Sequence, residues 1–123
     1  MAQLRQRLLD LALWGLGLVP TFWFVTFYLY VLRARLALGR WPLPYQPDPK
    51  DLDFTVHHVL VIALLVLVIP SAIGFAAFRV FRRMLKVEQP TDRPLTFYFG
   101  ATYVIWWLVA RIDPGMYITW FMD

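Results

Sequence analysis

The sequence contains no cysteine, which excludes disulfides, thiolate metal sites and cysteine nucleophiles outright. Charge is also scarce, at 16% of 123 residues, and it is unevenly spread. Residues 11–32, 54–78 and 95–110 carry no Asp, Glu, Lys or Arg. Away from their ends these runs lack Asn, Gln and His as well. Transporters, pumps and channels need polar or ionisable groups at membrane depth where a substrate can pause, so such dry runs argue against those roles. A nucleophile–base pair, a metal-ligand spacing and a glycine-rich phosphate loop are all missing, which argues against catalysis. There is no internal repeat and no low-complexity tract.

What the chain has in abundance is apolar surface. Hydrophobic residues make up 60% of it and the mean hydropathy is +0.57. A single soluble domain of this length cannot hide that much, so the solvent of the fold is lipid. The expected fold is all-α and integral to the membrane. It is one domain over 1–123 with three transmembrane helices at about 11–32, 54–78 and 95–112. Arg111 snorkels to complete the third. Arg5 and Arg7 before an apolar run resemble the start of a secretory signal, but the run is too long and too aromatic, and no A-x-A-like site follows.

Helix one is expected over 4–38, bent at Pro20 and stopped by Gly39 as a left-handed cap. Asp48, Pro49 and Asp51 read as cap, N1 and acidic first turn, so helix two is expected over 49–86, bent at Pro70. Residues 89–94 form a turn, with Pro94 in the first turn of helix three. Asp113-Pro114-Gly115 ends that helix. The aromatic tail 116–123 then reads as an interfacial segment.

Lys and Arg number two at the N-terminus and five in the second loop, against four in the first loop and one in the tail. The positive-inside rule therefore predicts a cytoplasmic N-terminus and a periplasmic C-terminus in a bacterial inner membrane. The formal charge of +4 lies beside the spans, where anionic lipids are the ordinary partner and nucleic acid is not.

His57 and His58 are the candidate cofactor ligands. Neighbours on a helix point about 100° apart, so the two cannot share one metal. Two-histidine haem ligation is excluded because the chain has no third histidine; one chlorophyll, needing a single axial ligand, or a quinone headgroup remains possible chemistry. The structural alternative is an interfacial polar pair bonded to headgroups, water or loop carbonyls. Asp48, Asp51, Asp53, Arg111 and Asp113 fall on the same side, and with the histidines they predict a polar cluster or an Arg111–aspartate tie between loop one and helix three. No cofactor is required by the sequence.

The aromatic content of 18% points outward as well as inward. Trp23, Trp106, Trp107 and Trp120 are candidate contacts for lipid, a flat ligand or partner helices, since three helices cannot enclose every ring. Ala72 and Ala76 supply a small-xxx-small pair that permits close helix approach. The connector LGRWPLPYQPDPK holds four prolines, Trp41 and Tyr45. It reads as an extended strap unable to form a hairpin or helix before Asp48, either a lid on its own helices or an aromatic edge for a partner.

Within that connector, Gly39-Arg40-Trp41-Pro42 followed by Asp48-Pro49-Lys50 resembles a segment of small uncharacterised bacterial integral membrane proteins. The resemblance implies a bacterial membrane setting and no activity. Together these features predict a non-catalytic accessory subunit of a larger integral membrane complex, with a photosynthetic or respiratory assembly as the preferred host. A pigment- or quinone-binding protein using His57 or His58 is the first alternative, and a small transporter component the second.

Overall fold

A computed structural model describes residues 1–46 and 48–123; Pro47, one of the connector prolines, lies outside the described residues. The protein is 82% helical, with no strand among the described residues. Five α-helices follow one another: α1 (Ala2–Gly17), α2 (Val19–Leu38), α3 (Thr55–Met84), α4 (Asp92–Ile112) and α5 (Tyr117–Met122). Three of them, α2, α3 and α4, are long and apolar enough to cross a membrane.

The first departure from expectation is a break where a bend is predicted. Leu18 (φ −86°, ψ −8°) separates α1 from α2. Pro20 has no amide hydrogen to give the carbonyl of Leu16, so the helical ladder loses a rung at this point. The first apolar helix is consequently Val19–Leu38, displaced from 11–32, and α1 is a separate helix carrying Arg5, Arg7 and Asp10. Its far end is as expected: Gly39 adopts φ +70° and its N–H bonds to the Arg35 carbonyl.

The second departure concerns the start of α3. Pro49–Leu52 is only a 3-10 turn, closed by the Asp51 N–H on the Asp48 carbonyl at 3.0 Å. Asp53 at φ +56° then interrupts it, and α3 begins at Thr55 in place of Pro49. With 30 residues, α3 is about 45 Å long, roughly half as long again as a bilayer core is thick.

The connector also forms the hairpin-like turn it was expected to avoid. Leu43 and Gln46 exchange both backbone hydrogen bonds, at 3.1 and 3.0 Å. Pro44 fills the position whose φ it already satisfies and whose N–H is not needed. Tyr45 follows at φ +64°, the arrangement of a type II turn. Asp113 (φ +48°) ends α4 as expected. The tail, however, folds back as α5 and buries Trp120 and Phe121 in the core, where they do not lie along the interface.

α3 packs along α2 and α1. One core cluster joins Trp23, Phe27, Tyr30 and Val31 of α2, Val61 and Val68 of α3, and Trp120 and Phe121 of α5. A smaller one joins Leu13, Phe75 and Phe99. At Gly17 the Phe99 ring comes so close that a Cβ there would stand 2.4 Å from it. Only glycine allows α4 this approach. Gly74 on α3 similarly faces Leu16, at an ordinary contact distance.

Candidate functional site

Three groups of polar side chains occupy the helix bundle, and each begins from a backbone or charge requirement. At the end holding the connector, the two histidines of α3 both turn toward α2. His57 Nε2 stands 2.8 Å from the Thr26 carbonyl; a carbonyl only accepts, so Nε2 carries the proton. His58 Nδ1 stands 3.2 Å from the Tyr30 hydroxyl, which itself donates to the Pro49 carbonyl at 3.2 Å. The tyrosine proton being engaged, Nδ1 of His58 is the donor. Thr26 and Tyr30 are one helical turn apart, which puts both acceptors on one face of α2. The Phe121 ring stacks on His58 at 4.5 Å. The pair therefore reads as a helix-to-helix fastening through carbonyl and tyrosine partners.

Of the polar cluster expected around the histidines, only part assembles. Asp48 and Asp123 line a cavity of about 160 Å³ with His58 and Phe121, and a second cavity of about 110 Å³ touches His58 from the side of Phe54. Asp113 is engaged elsewhere: its carboxylate accepts from the Ile118 and Thr119 amides at 2.8 Å and from the Thr119 hydroxyl at 2.5 Å, capping α5. Arg111 lies over the Trp107 ring, 5.7 Å from its centroid, and makes no ion pair among the described residues. The expected tie to loop one is thus replaced by a cation–π contact. Arg33 sits over Phe54 and Arg35 over Trp41 in the same manner, at 3.9 and 4.3 Å.

The second group lies midway along the bundle, where the sequence offered only hydroxyls. Tyr103 of α4 donates to the Leu16 carbonyl at 2.5 Å, the acceptor that Pro20 leaves without its helical donor. Ser71 stands 2.8 Å from Tyr103 and 2.7 Å from the Val68 carbonyl. Two hydroxyl protons serve three contacts, so α1, α3 and α4 meet at one small polar junction. The missing rung at Pro20 was the available signal for it; nothing in the sequence pointed to Tyr103 as its partner.

The third group lies at the basic end of α3, among the charges that the sequence places beside the spans. Arg79 and Arg82, three apart on one face of α3, hold a charge network. Asp92 is 1% exposed and Arg82 1%. Asp92 Oδ2 accepts hydrogen bonds from Arg79 Nη1 at 2.9 Å and from the Gln89 amide at 3.1 Å, and pairs by charge alone with Arg82 Nε at 3.2 Å. Arg82 Nη1 reaches Asp10 of α1 at 3.0 Å. Arg79 completes its fork on Glu88, at 2.7 Å, and on the Thr96 hydroxyl. The hydrogen bond from Arg79, aided by the Arg93 and Arg83 charges, holds the Glu88 carboxyl below its ordinary value.

The aromatic candidates divide. Trp23 is buried, stacked on Phe27 at 4.9 Å and edge-on to Trp106 at 6.2 Å, and Trp120 is fully buried; neither is a surface contact of this chain. Trp106 is half-buried. Trp41, Tyr45 and Trp107 are exposed, at 44%, 74% and 54%, and Trp41 also leans on Tyr117 at 5.9 Å. Ala72 is half-buried and Ala76 exposed. No group of three or more metal-ligating side chains occurs among the described residues. No protein-family model, curated protein or solved structure matches the chain.

Proposed function

We propose that this protein is a non-catalytic accessory subunit of a larger integral membrane complex, seated in a bacterial inner membrane with its N-terminus cytoplasmic. The observation that carries this reading is the use made of polar groups inside the bundle. His57, His58, Ser71 and Tyr103 all bind neighbouring helices, so the chemistry at depth is directed at holding the bundle together. Its outer surface is correspondingly apolar, and α4 is left most open: 6% of its apolar window is buried, against 28% for α2. Phe97, Val104, Trp107 and Ile112 project from it at 82%, 58%, 54% and 71% exposure. Lipid or a partner helix covers such a face equally well by van der Waals packing. A photosynthetic or respiratory complex remains the preferred host.

A photoreactive group at Trp107 tests the reading in native membranes. Crosslinks to larger integral membrane proteins support it. Crosslinks to lipid alone, or to a second copy of the chain, count against it.

A chlorophyll or quinone at His57 or His58 is the alternative, favoured by the two cavities beside His58. Both are smaller than the roughly 300 Å³ at which small-molecule sites begin, which is why the accessory reading is preferred. Absorbance by the gently purified protein that disappears in a His57→Ala/His58→Ala variant would reverse the preference. A transporter role would require solute flux from this chain alone in liposomes.

A further inference from the structure

The net charge of the protein resides entirely at one end. In the sequence, Arg5, Arg7 and the basic residues of 79–93 give seven positive side chains against Asp10, Glu88 and Asp92. The connector end balances five against five. All of the +4 therefore belongs to the end where α1 starts and where α3 turns into α4.

Within that end the surplus concentrates further. A groove of about 540 Å³ opens between the last turns of α3 and the first turns of α4. Arg79 lines it, but its guanidinium is neutralised by Glu88 and Asp92. Glu88, the one carboxylate in the lining, is likewise occupied by Arg79. The Thr96 hydroxyl donates to the Asp92 carbonyl at 2.6 Å. Two lining guanidinium groups, Arg83 and Arg93, are exposed and make no ion pair among the described residues. Below them the groove is walled by Val80 and Phe97, exposed at 58% and 82% on the apolar flanks of α3 and α4.

We propose that this groove binds a phosphate-bearing anion, with Arg83 and Arg93 as the two cationic arms. Arginine forks suit phosphate oxygens in a bidentate manner. A free phosphate would use the arms alone; a phospholipid would also lay its acyl chains on Val80 and Phe97. The volume leaves room for more than a bare ion. The Arg79–Glu88–Asp92 network beneath fixes the turn, and Glu88, which also lies in the field of the two arms, is held on Arg79 by a 2.7 Å ion pair.

The test is lipid retention by the full-length protein, purified in detergent and examined by native mass spectrometry with added phosphatidylglycerol or phosphatidylcholine. The wild type should retain phosphatidylglycerol in preference. The Arg83→Gln/Arg93→Gln variant should bind it roughly thirtyfold more weakly, with an unchanged helical circular-dichroism spectrum because both side chains are exposed. Inorganic phosphate is the competing arm. If it displaces the lipid at modest concentration the site recognises the phosphate itself, and if it does not the acyl chains are part of the ligand; either result upholds the groove. An Arg5→Gln/Arg7→Gln variant removes equal charge at the same end but outside the groove. The proposal is overturned if the wild type shows no preference for the anionic lipid, or if the Arg5/Arg7 variant loses it as fully as the Arg83/Arg93 variant.

Discussion

Gly17 and Tyr103 illustrate how much of this bundle rests on single side chains. A methyl group at Gly17 would meet the Phe99 ring at 2.4 Å, and a ring held between α1, α3 and α4 has little room to retreat. Gly17→Ala should therefore destabilise the protein by about 1–3 kcal/mol, measured by unfolding in mixed micelles followed by tryptophan fluorescence; an unchanged midpoint would show that α4 can shift freely. Tyr103→Phe leaves the Leu16 carbonyl without a donor and should cost about 0.5–2 kcal/mol. Because that carbonyl is orphaned by proline, the penalty should shrink in a Pro20→Ala background, where residue 20 regains its N–H. Equal penalties in both backgrounds would detach the tyrosine from the break. Glu88 supplies a pH dependence. Its folded-state pKa is depressed from 4.5 by the hydrogen bond from Arg79, so its contribution is present above that value and is lost as pH falls through the folded-state pKa. Glu88→Gln should flatten the acid limb of the stability profile and leave the neutral region's slope alone.

Among the elements, apolar run length announces three helices long enough to cross a membrane and three exist, because roughly 20 uncharged residues suffice for a span. The first is shifted from 11–32 to Val19–Leu38, since run length says nothing of the break before Pro20. Gly39 as a stop and Asp113 as an end were legible as local backbone chemistry. What escaped the sequence was tertiary. The missing amide of Pro20 was visible, but whether it would bend or break the helix depended on the partner that Tyr103 supplies. The cap-like Asp48–Pro49 start was overruled by Asp53 at φ +56°, which frees the Pro49 carbonyl for Tyr30. The histidine pair was visible as polar, while its α2 partners were a backbone carbonyl and a tyrosine that no spacing rule marks. In sequence Arg79 and Arg82 count only as part of the positive charge beside the spans, because their pairing with Asp92 and Asp10 needs α1 and α4 in place. That network ranks its members. Asp92→Ala strands buried Arg82 and should cost about 3–5 kcal/mol. Asp10→Ala takes away the one hydrogen bond that buried Arg82 makes among the described residues, but to a carboxylate that water already reaches at 46% exposure, and should cost less, about 1–2 kcal/mol. Comparable losses from both would show that Asp92 is solvated in the folded protein.

The whole molecule is a bundle with an aromatic core, small polar junctions between its helices and a largely apolar outer surface, and α4 is the most open of the three helices long enough to cross a membrane. Its charge is asymmetric, neutral at the connector end and basic at the other. A 14.5 kDa protein built this way leaves a wide apolar surface open to lipid or to neighbours, and the proposal of an accessory subunit rests on that surface. The most direct measurement is native gel electrophoresis of mildly solubilised membranes, followed by mass spectrometry of the band that contains this chain. The account predicts co-migration with larger integral membrane subunits in a fixed ratio; migration of the chain by itself, at its own mass or as a small homo-oligomer, would contradict it.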